Sequence, residues 1–135
     1  MKCVIIIDKD LPGGLAANTA SVLAFSLGAK YPDWVGPDTV DSDGRVHPGL
    51  IRVPIPILAA EKHEIQEIHH SATNNHRDNL SQVSVTNIAQ RSKNYQSYTD
   101  SISKASSNNL LYLGIGLLGN EKIITSLSGS LPLYR

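Results

Sequence analysis

Apolar residues follow two patterns along the chain, and together these predict strands and helices in alternation. Continuous apolar runs at residues 3–7 and 110–118 are typical of central strands that are buried on both faces. Apolar residues at helical spacing predict a helix that begins near Gly14 or Leu15 and ends at Gly28. The same spacing predicts helices over residues 61–73, around residues 95–102 and after Asn120, whose side chain is a good N-cap.

Two further strands are predicted at residues 50–58 and 82–88, and the first of them carries two prolines. Pro54 and Pro56 have the same parity, so both remove an N–H donor from the same side of the strand. We therefore expect this strand at the edge of the sheet, pairing only through its odd-numbered residues. In the second strand, Val83 and Val85 face one way.

The alternation of strands and helices predicts an α/β fold for a single domain over residues 1–135. We expect three α/β/α layers, with helices on both faces of a mostly parallel four-stranded mixed sheet. Residues 31–49 are rich in proline, glycine and aspartate, which predicts a long ordered loop of the kind that often carries function. The tail at residues 131–133 is expected to pack back on the core.

Composition narrows the classes of partner and compartment. Twelve basic and twelve acidic side chains cancel, and this balance argues against a nucleic-acid partner. The single cysteine, Cys3, excludes an intramolecular disulfide and fits a reducing compartment. The apolar run before Asp8 is too short for a signal peptide, and no run reaches membrane-spanning length. We therefore expect a cytoplasmic protein without membrane association.

Three motifs that suggest cofactors or metals have simpler interpretations. The glycine triplet at residues 114–119 lacks the acidic residue that a dinucleotide site needs about 20 positions further on, so Gly114 and Gly116 are interpreted as points of close approach to a strand. The Asp-rich segment at residues 41–44 is interpreted as a turn rather than a calcium loop. The five histidines lack companions at metal-ligand spacing. No cofactor and no metal site are predicted.

Candidate functional residues surround the stretch at residues 8–28, where a buried strand, a Pro-Gly-Gly turn and a helix start follow one another. Backbone N–H groups and the positive end of a helix dipole converge at such a place. His47, in the long loop, is either an acid/base group or the cap of a turn. No reaction follows from these residues. The catalytic candidates are Lys9, Asp10, Asn18, His47 and Asn87, and the ligand-binding candidates are Gly13, Gly14, Asn18 and Arg52.

Both ends of the chain carry motifs of a known family. Asp10-Leu11 and the helix start at residues 13–21 follow the first strand, and Leu-Gly-Ile-Gly at residues 113–116 precedes a leucine-containing tail at residues 128–134. These ends resemble the archaeal and eukaryotic type of peptidyl-tRNA hydrolase. The resemblance implies that fold. It aligns Gly14, Asn18 and Ser21 with the family's lysine, glutamine and histidine. Asn87 is the nearest candidate for its aspartate and Leu111 for its threonine.

Motifs across nearly the whole chain resemble a second family. They lie at residues 36–44, 47–54, 89–92 and 129–133. They are similar to an uncharacterised bacterial family, the domain of unknown function numbered two thousand, which implies the same hydrolase-like fold but no activity. Three functions stay open: a small-ligand-binding or enzymatic domain with a rebuilt site, a residual peptidyl-tRNA hydrolase that cleaves the peptidyl-tRNA ester, and a non-enzymatic protein-interaction module. A small molecule and a second copy of the chain are the expected partners.

Overall fold

A computed structural model describes the whole chain, Met1–Arg135. Its main sheet has four strands. The strands are β1 (Lys2–Asp8), β2 (Thr39–Val40), β3 (Val46–His47), β4 (Ile57–Ala60), β5 (Leu80–Thr86) and β6 (Tyr112–Gly119). The helices are α1 (Gly13–Gly28), α2 (Lys62–Asn75), α3 (Asn87–Arg91), α4 (Tyr95–Ser103) and α5 (Glu121–Ser128). The main sheet has the order β4-β1-β6-β5, while β2 and β3 form a separate hairpin. None of the helices combines the length and apolar character needed to cross a membrane.

The prediction of a mostly parallel sheet is wrong. Strand β1 pairs in parallel with β4, but the β1–β6 and β5–β6 ladders are both antiparallel. The reason is that β6 starts where β5 ends, with Thr86 opposite Tyr112, so the chain turns back through α3 and α4 without crossing the sheet. Apolar patterning identifies strands but does not encode their direction, because both directions bury the same faces.

Strand β4 lies at the edge of the sheet, as predicted, but it is shorter than expected and its pairing rule is wrong. Even-numbered residues face β1: the Ile5 N–H donates to the Pro56 carbonyl at 3.0 Å and the Lys9 N–H donates to the Ala60 carbonyl at 3.0 Å. Pro56 can take part because it supplies only a carbonyl there. Pro54 lies before the strand and removes nothing from the ladder.

The odd-numbered side of β4 is covered by the C-terminal tail, which confirms that the tail packs back. The Ala59 N–H donates to the Pro132 carbonyl at 2.8 Å, and the Tyr134 N–H donates to the Ile57 carbonyl at 2.8 Å. The Tyr134 hydroxyl also donates to the carbonyl of Leu11, in the turn after β1. The tail therefore closes this edge of the sheet and fixes the turn that leads into α1.

Helices cover both faces of the sheet, which confirms the three-layer arrangement. On one face, α2 and α5 pack over a core that includes Val4, Ile6, Ile65, Ile115 and Ile124. On the other face, α1 packs over Ile5, Ile7, Leu23, Leu27 and Leu118. The alternation along β1 sends its even-numbered side chains to α2 and its odd-numbered side chains to α1.

The glycine triplet lies inside β6 and lets α1 approach the sheet. A Cβ on Gly116 would lie 2.7 Å from Leu27 Cδ1. A Cβ on Gly114 would lie 2.9 Å from Ile7 Cδ1 and 3.0 Å from Thr19 Cγ2. The interpretation of these glycines as points of close approach is confirmed.

The long loop contains regular structure that the sequence did not predict. A short 3-10 helix, Pro32–Trp34, is followed by the β2–β3 hairpin, whose strands are too short to show a period. The Asp41 carboxylate accepts from the N–H groups of Asp43 at 2.9 Å and Arg45 at 3.0 Å, which confirms the turn. We call residues 35–52 the arm. Apart from two glycines, every residue of the arm is exposed.

Candidate functional site

A buried carboxylate organises the turn between β1 and α1. Asp8 is only 1% exposed at the end of β1. Its Oδ1 accepts from the Asp10 N–H at 3.0 Å, and its Oδ2 lies 2.6 Å from Lys62 Nζ at the start of α2. A buried charge requires such partners, and the hydrogen bond to Asp8 raises the pKa of Lys62. This role is not evident from the sequence, in which Asp8 is simply the polar residue that follows an apolar run.

Lys9 takes part in a second ion pair at the same end of the sheet. Its Nζ lies 2.9 Å from Glu61 Oε1, and this hydrogen bond raises the pKa of Lys9. Glu61 also caps α2, where its side chain and that of Glu64 each accept from the other's backbone N–H. Asp8, Asp10, Glu61 and Glu64 supply four carboxylates to the cluster, against the two ammonium groups of Lys9 and Lys62. It therefore carries two net negative charges, which disfavour a phosphate ligand.

Gly13 and Gly14 begin α1 beside this cluster. No side chain caps this helix, and its first main-chain bond runs from the Ala16 N–H to the Pro12 carbonyl at 2.9 Å. A Cβ on either glycine would meet no atom within 4 Å. The helix start is therefore open, and the adjacent carboxylates offset the positive end of its dipole.

Asn18 lies elsewhere, in a groove between α1 and the β5–α3–α4 side of the molecule. One part of the groove has a volume of about 330 Å³ and the adjoining part about 470 Å³. The two parts share Val22, Val85 and Ala89, so we treat them as one α1–β5 groove. The remaining lining residues are Leu15, Asn18, Thr19, Ser26, Val83, Ser84, Gln90, Ser92, Asn94, Tyr95 and Tyr98.

Strand β5 offers main-chain groups to this groove. The Ile5 N–H points to β4, where it donates to the Pro56 carbonyl, so Ile5 makes no main-chain hydrogen bond to the residue opposite it on β6, Gly116. The N–H and C=O groups of Gly116 therefore point the other way, toward β5. Gly116 is paired with Val83, so the even-numbered neighbours of Val83 direct their N–H and C=O groups to the open edge. Ser84 is one of these neighbours, and it therefore presents a main-chain donor and acceptor to the groove.

His47 and Arg52 belong to the arm. His47 Nε2 lies 2.8 Å from Asp41 Oδ2, and this hydrogen bond lowers the pKa of Asp41. The contact braces the turn that Asp41 holds, in agreement with the turn-cap interpretation. His47 also lines a separate depression of about 530 Å³ formed by the arm alone. The Arg52 N–H donates to the Trp34 carbonyl at 2.8 Å and closes the base of the arm.

Asn87 is the first residue of α3 and not part of β5, so the strand predicted at residues 82–88 is displaced by two residues from the observed Leu80–Thr86. The register of the β5–β6 ladder shifts between Val85 and Thr86, and the pair Thr86–Tyr112 is its last. The Asn87 N–H donates to the Leu111 carbonyl at 2.9 Å, and Asn87 Oδ1 accepts from the Leu111 N–H at 3.2 Å. Asn87 thus holds the start of β6.

The predicted candidates do not converge on one cavity. Asn18 lines the α1–β5 groove and His47 lines the depression formed by the arm, while Lys9, Asp10 and Asn87 line neither. Cys3 is buried, which raises its pKa to about 11 and keeps the thiol protonated. No group of three or more His, Cys, Asp or Glu side chains is placed to bind a metal ion.

The groove residues were largely missed because neutral side chains carry no motif. The one indication in the sequence is the lack of charge in α1, since residues 13–28 contain no charged side chain. A helix this apolar is usually covered on most sides. In the structure only one side of α1 packs on the sheet, and Leu15, Val22 and Phe25 remain exposed.

Comparisons with known proteins agree with this fold and name no activity. The structure is similar to that of a protein of unknown function from Agrobacterium tumefaciens strain C58, with a TM-score of 0.88 and 19% sequence identity, covering 99% of this chain and 97% of that one. No curated protein matches the sequence. A family model described as a protein of unknown function, DUF2000, matches residues 1–135. The chain therefore belongs to the DUF2000 family.

Proposed function

We propose that this chain is a ligand-binding domain whose α1–β5 groove takes a small neutral molecule. One observation carries the proposal: the groove is lined without a single Lys, Arg, Asp, Glu or His, although the chain has twelve basic and twelve acidic residues. Its volume falls within the range of about 300–1,000 Å³ that is typical of ligand sites.

The lining supports a ligand with an apolar body and a few hydrogen-bonding groups. Val22, Val85 and Ala89 form the apolar centre. The Asn18 and Gln90 amides lie at one end, and the main chain of Ser84 adds a donor and an acceptor. A charged ligand would lose water without gaining a countercharge, which is costly.

The aromatic end of the groove favours a planar ligand. The rings of Tyr95 and Tyr98 lie 5.6 Å apart between centroids and at 60° to one another. Tyr95 is largely exposed. Exposed aromatic side chains beside an apolar floor provide contact area at a low entropic cost.

We propose binding rather than catalysis, because the groove lacks an activated nucleophile. It contains no histidine, and the Ser92 hydroxyl donates to the Ile88 carbonyl at 2.6 Å. The resemblance to peptidyl-tRNA hydrolases stays a prediction for the fold. The aligned positions Gly14, Asn18 and Ser21 supply no base, and the Ser21 hydroxyl donates to the Ala17 carbonyl at 2.8 Å.

The proposal is tested by titrating the protein with indole and, separately, with benzoate while recording backbone amide NMR spectra. We expect indole to shift the amides of Val22, Val85 and Ala89. A Kd on the order of millimolar corresponds to ~4 kcal/mol, which for a ligand the size of indole stays below the ceiling of ~1.5 kcal/mol per non-hydrogen atom. Benzoate is expected to leave these amides unchanged, because its charge finds no partner in the groove.

A pair of variants identifies the binding site. Val22→Trp places an indole ring in the groove from a half-exposed position and should abolish the indole shifts. Val40→Trp adds the same ring to the arm and should leave binding intact. Equal shifts with indole and benzoate, or indole shifts that survive Val22→Trp, would contradict the proposal.

A further inference from the structure

The two edges of the main sheet differ in what covers them. At the β4 edge, the C-terminal tail supplies main-chain partners through Pro132 and Tyr134. At the β5 edge, the main-chain groups of Gln82 and Ser84 point outward and have no main-chain hydrogen bond to any other segment. One edge of the sheet is therefore closed by the chain itself, and the other is open.

Strand β5 has none of the features that usually protect an open edge. Such an edge is commonly protected by charged side chains, by proline, by a bulge or by a covering segment. Residues 80–86 contain neither proline nor a charged residue, and their pairing with β6 is regular from Leu80 to Val85. A regular open edge of this kind can accept a further strand from another chain.

The open edge is accessible inside the α1–β5 groove. Ser84 lines the groove together with Val22 of α1 and with Tyr95 and Tyr98 of α4. An added strand lies ~4.8 Å from its neighbour, so a single extended segment needs only the width of one strand. A second copy of the chain would instead have to bring a sheet and its helices into the same cleft. The groove therefore favours one extended segment.

The lining of the groove selects an uncharged segment. None of its side chains is charged, so it offers no countercharge to a free amino or carboxyl terminus. A peptide main chain is neutral away from its ends, and each of its residues carries one donor and one acceptor. This is the complement of the donor and acceptor that Ser84 presents.

The alternation of side chains along a strand sets the positions that matter. A residue paired with Ser84 points its side chain to the same face as Ser84, and the residues before and after it point to the opposite face. That opposite face carries Val83 and Val85, which pack with the core under α1. The segment therefore needs apolar side chains on both sides of its central residue, and Tyr95 and Tyr98 favour an aromatic one.

We propose that the groove takes an extended, uncharged internal segment of a partner protein, which pairs with β5 as a fifth strand. The central residue of the segment accepts from the Ser84 N–H and donates to the Ser84 carbonyl. Its two neighbours place apolar side chains against Val22, Val83 and Val85. The inference rests on the proposed function for the site, and it names the chemistry of the ligand.

Amide hydrogen exchange, followed by NMR, tests the pairing with the capped tripeptide N-acetyl-Phe-Ala-Val-amide. The Ser84 amide should exchange rapidly in the free protein and about fivefold more slowly at a free peptide concentration of four times the Kd. The Val83 amide faces β6 and should exchange slowly in both states. An ester analogue with lactic acid in place of alanine lacks the central N–H and should bind about three- to tenfold more weakly.

A matched pair of variants separates the main chain of Ser84 from its side chain. Ser84→Ala keeps the N–H and should bind the tripeptide like the wild type. Ser84→Pro removes the N–H and should abolish binding. Proline is tolerated on an edge strand where the N–H points outward, and circular dichroism checks that the variant is folded. If it is not, the exchange of Ser84 in the wild type decides the question.

The outcomes separate this inference from the proposed function. Indole binding without protection of Ser84 by the tripeptide overturns the peptide and leaves the small-molecule site. Protection without indole binding supports the peptide and overturns only the small molecule, and a groove that binds neither overturns both. A Ser84 amide that exchanges slowly in the free protein, as it would if two copies paired through β5, also overturns the inference. So does a folded Ser84→Pro variant that binds the tripeptide like the wild type.

Discussion

Helices α1 and α2 each cover one face of the sheet, yet their outer surfaces differ. α2 exposes Lys62, His63, Glu67 and His70, and its first turn is capped by the reciprocal Glu61–Glu64 pair. α1 has no charged side chain and no side-chain cap. Burial of one face is thus enough to hold a helix in place, and the outer face is free to serve another purpose. The outer face of α2 is charged, whereas that of α1 is exposed, apolar and uncharged.

The inner faces differ as well. α1 buries Ala16, Ala20 and Leu23, and its small residues together with Gly114 and Gly116 allow a close approach to β6. α2 instead packs Ile65 over a face of β6 that carries Ile115 and Leu117 rather than glycines. A helix that packs this closely on a sheet is sensitive to any change in volume at the contact.

The largest expected effect is a difference in stability between substitutions on the buried and the exposed side of α1. Leu23→Ala should lower the free energy of unfolding by about 2–5 kcal/mol, because it removes a side chain that is 1% exposed and leaves a cavity. Phe25→Ala should change it by less than about 0.5 kcal/mol. Urea denaturation measures both, at a concentration low enough that subunit association does not contribute. Comparable losses in the two variants would mean that the outer face of α1 is covered within its own chain.

A smaller effect probes the cap that only α2 has. Glu61→Ala removes the capping side chain and should cost about 1 kcal/mol in the free energy of unfolding. Glu61 also pairs with Lys9, so Lys9→Met serves as the control and should cost well under half of that, since both side chains of this pair are nearly half exposed. If Lys9→Met were as destabilising as Glu61→Ala, the ion pair and not the cap would hold the start of α2.

The smallest expected effect is a pH dependence at the start of α2. The hydrogen bond to Asp8 raises the pKa of Lys62 above its ordinary value of 10.5. The stabilisation is therefore complete below pH 10.5 and is lost as the pH rises through the higher pKa of the folded state. Because the Lys62 side chain is 48% exposed, the change should be only about 0.2–1 kcal/mol.

This pH dependence is measured as the difference in unfolding free energy between the wild type and Lys62→Met. The difference should be constant between pH 7 and 9.5 and should shrink above pH 10.5. A difference that grows with pH would show that Asp8 is held by other groups.

The local elements of the fold were predictable, whereas their pairing was not. The runs that became β1 and β6 and the spacing that became α1 and α2 are properties of neighbouring residues, so they can be read from short windows. The direction of β6 depends on the end of the sheet to which α3 and α4 return the chain. The pairing of β4 depends on Pro132 and Tyr134, far along the sequence. The parity of Pro54 and Pro56 could not supply that information.

The candidate site was harder to predict, because sequence reasoning searches for reactive side chains. Lys9 and His47 were candidates because their side chains can be reactive, but in the structure each forms an ion pair with a carboxylate. The groove is made of Val22, Val85 and Ala89, which come from three elements and carry no reactive group. Only the lack of charge in α1 pointed toward it, and that signal does not distinguish a buried helix from a helix that binds a partner.

The pairing of β1 with β6 has a consequence for synthesis on the ribosome. β1 leaves the exit tunnel first, but its antiparallel neighbour lies at Tyr112–Gly119, and the tail that closes β4 comes later still. Long-range pairings of this kind form slowly, since a long loop must close before any contact rewards it. Until β6 has emerged, β1 therefore lacks the neighbour on one of its two edges, and α1 lacks the glycine face of β6 on which it packs. During that time the nascent chain is a natural client for chaperones that shield exposed apolar segments.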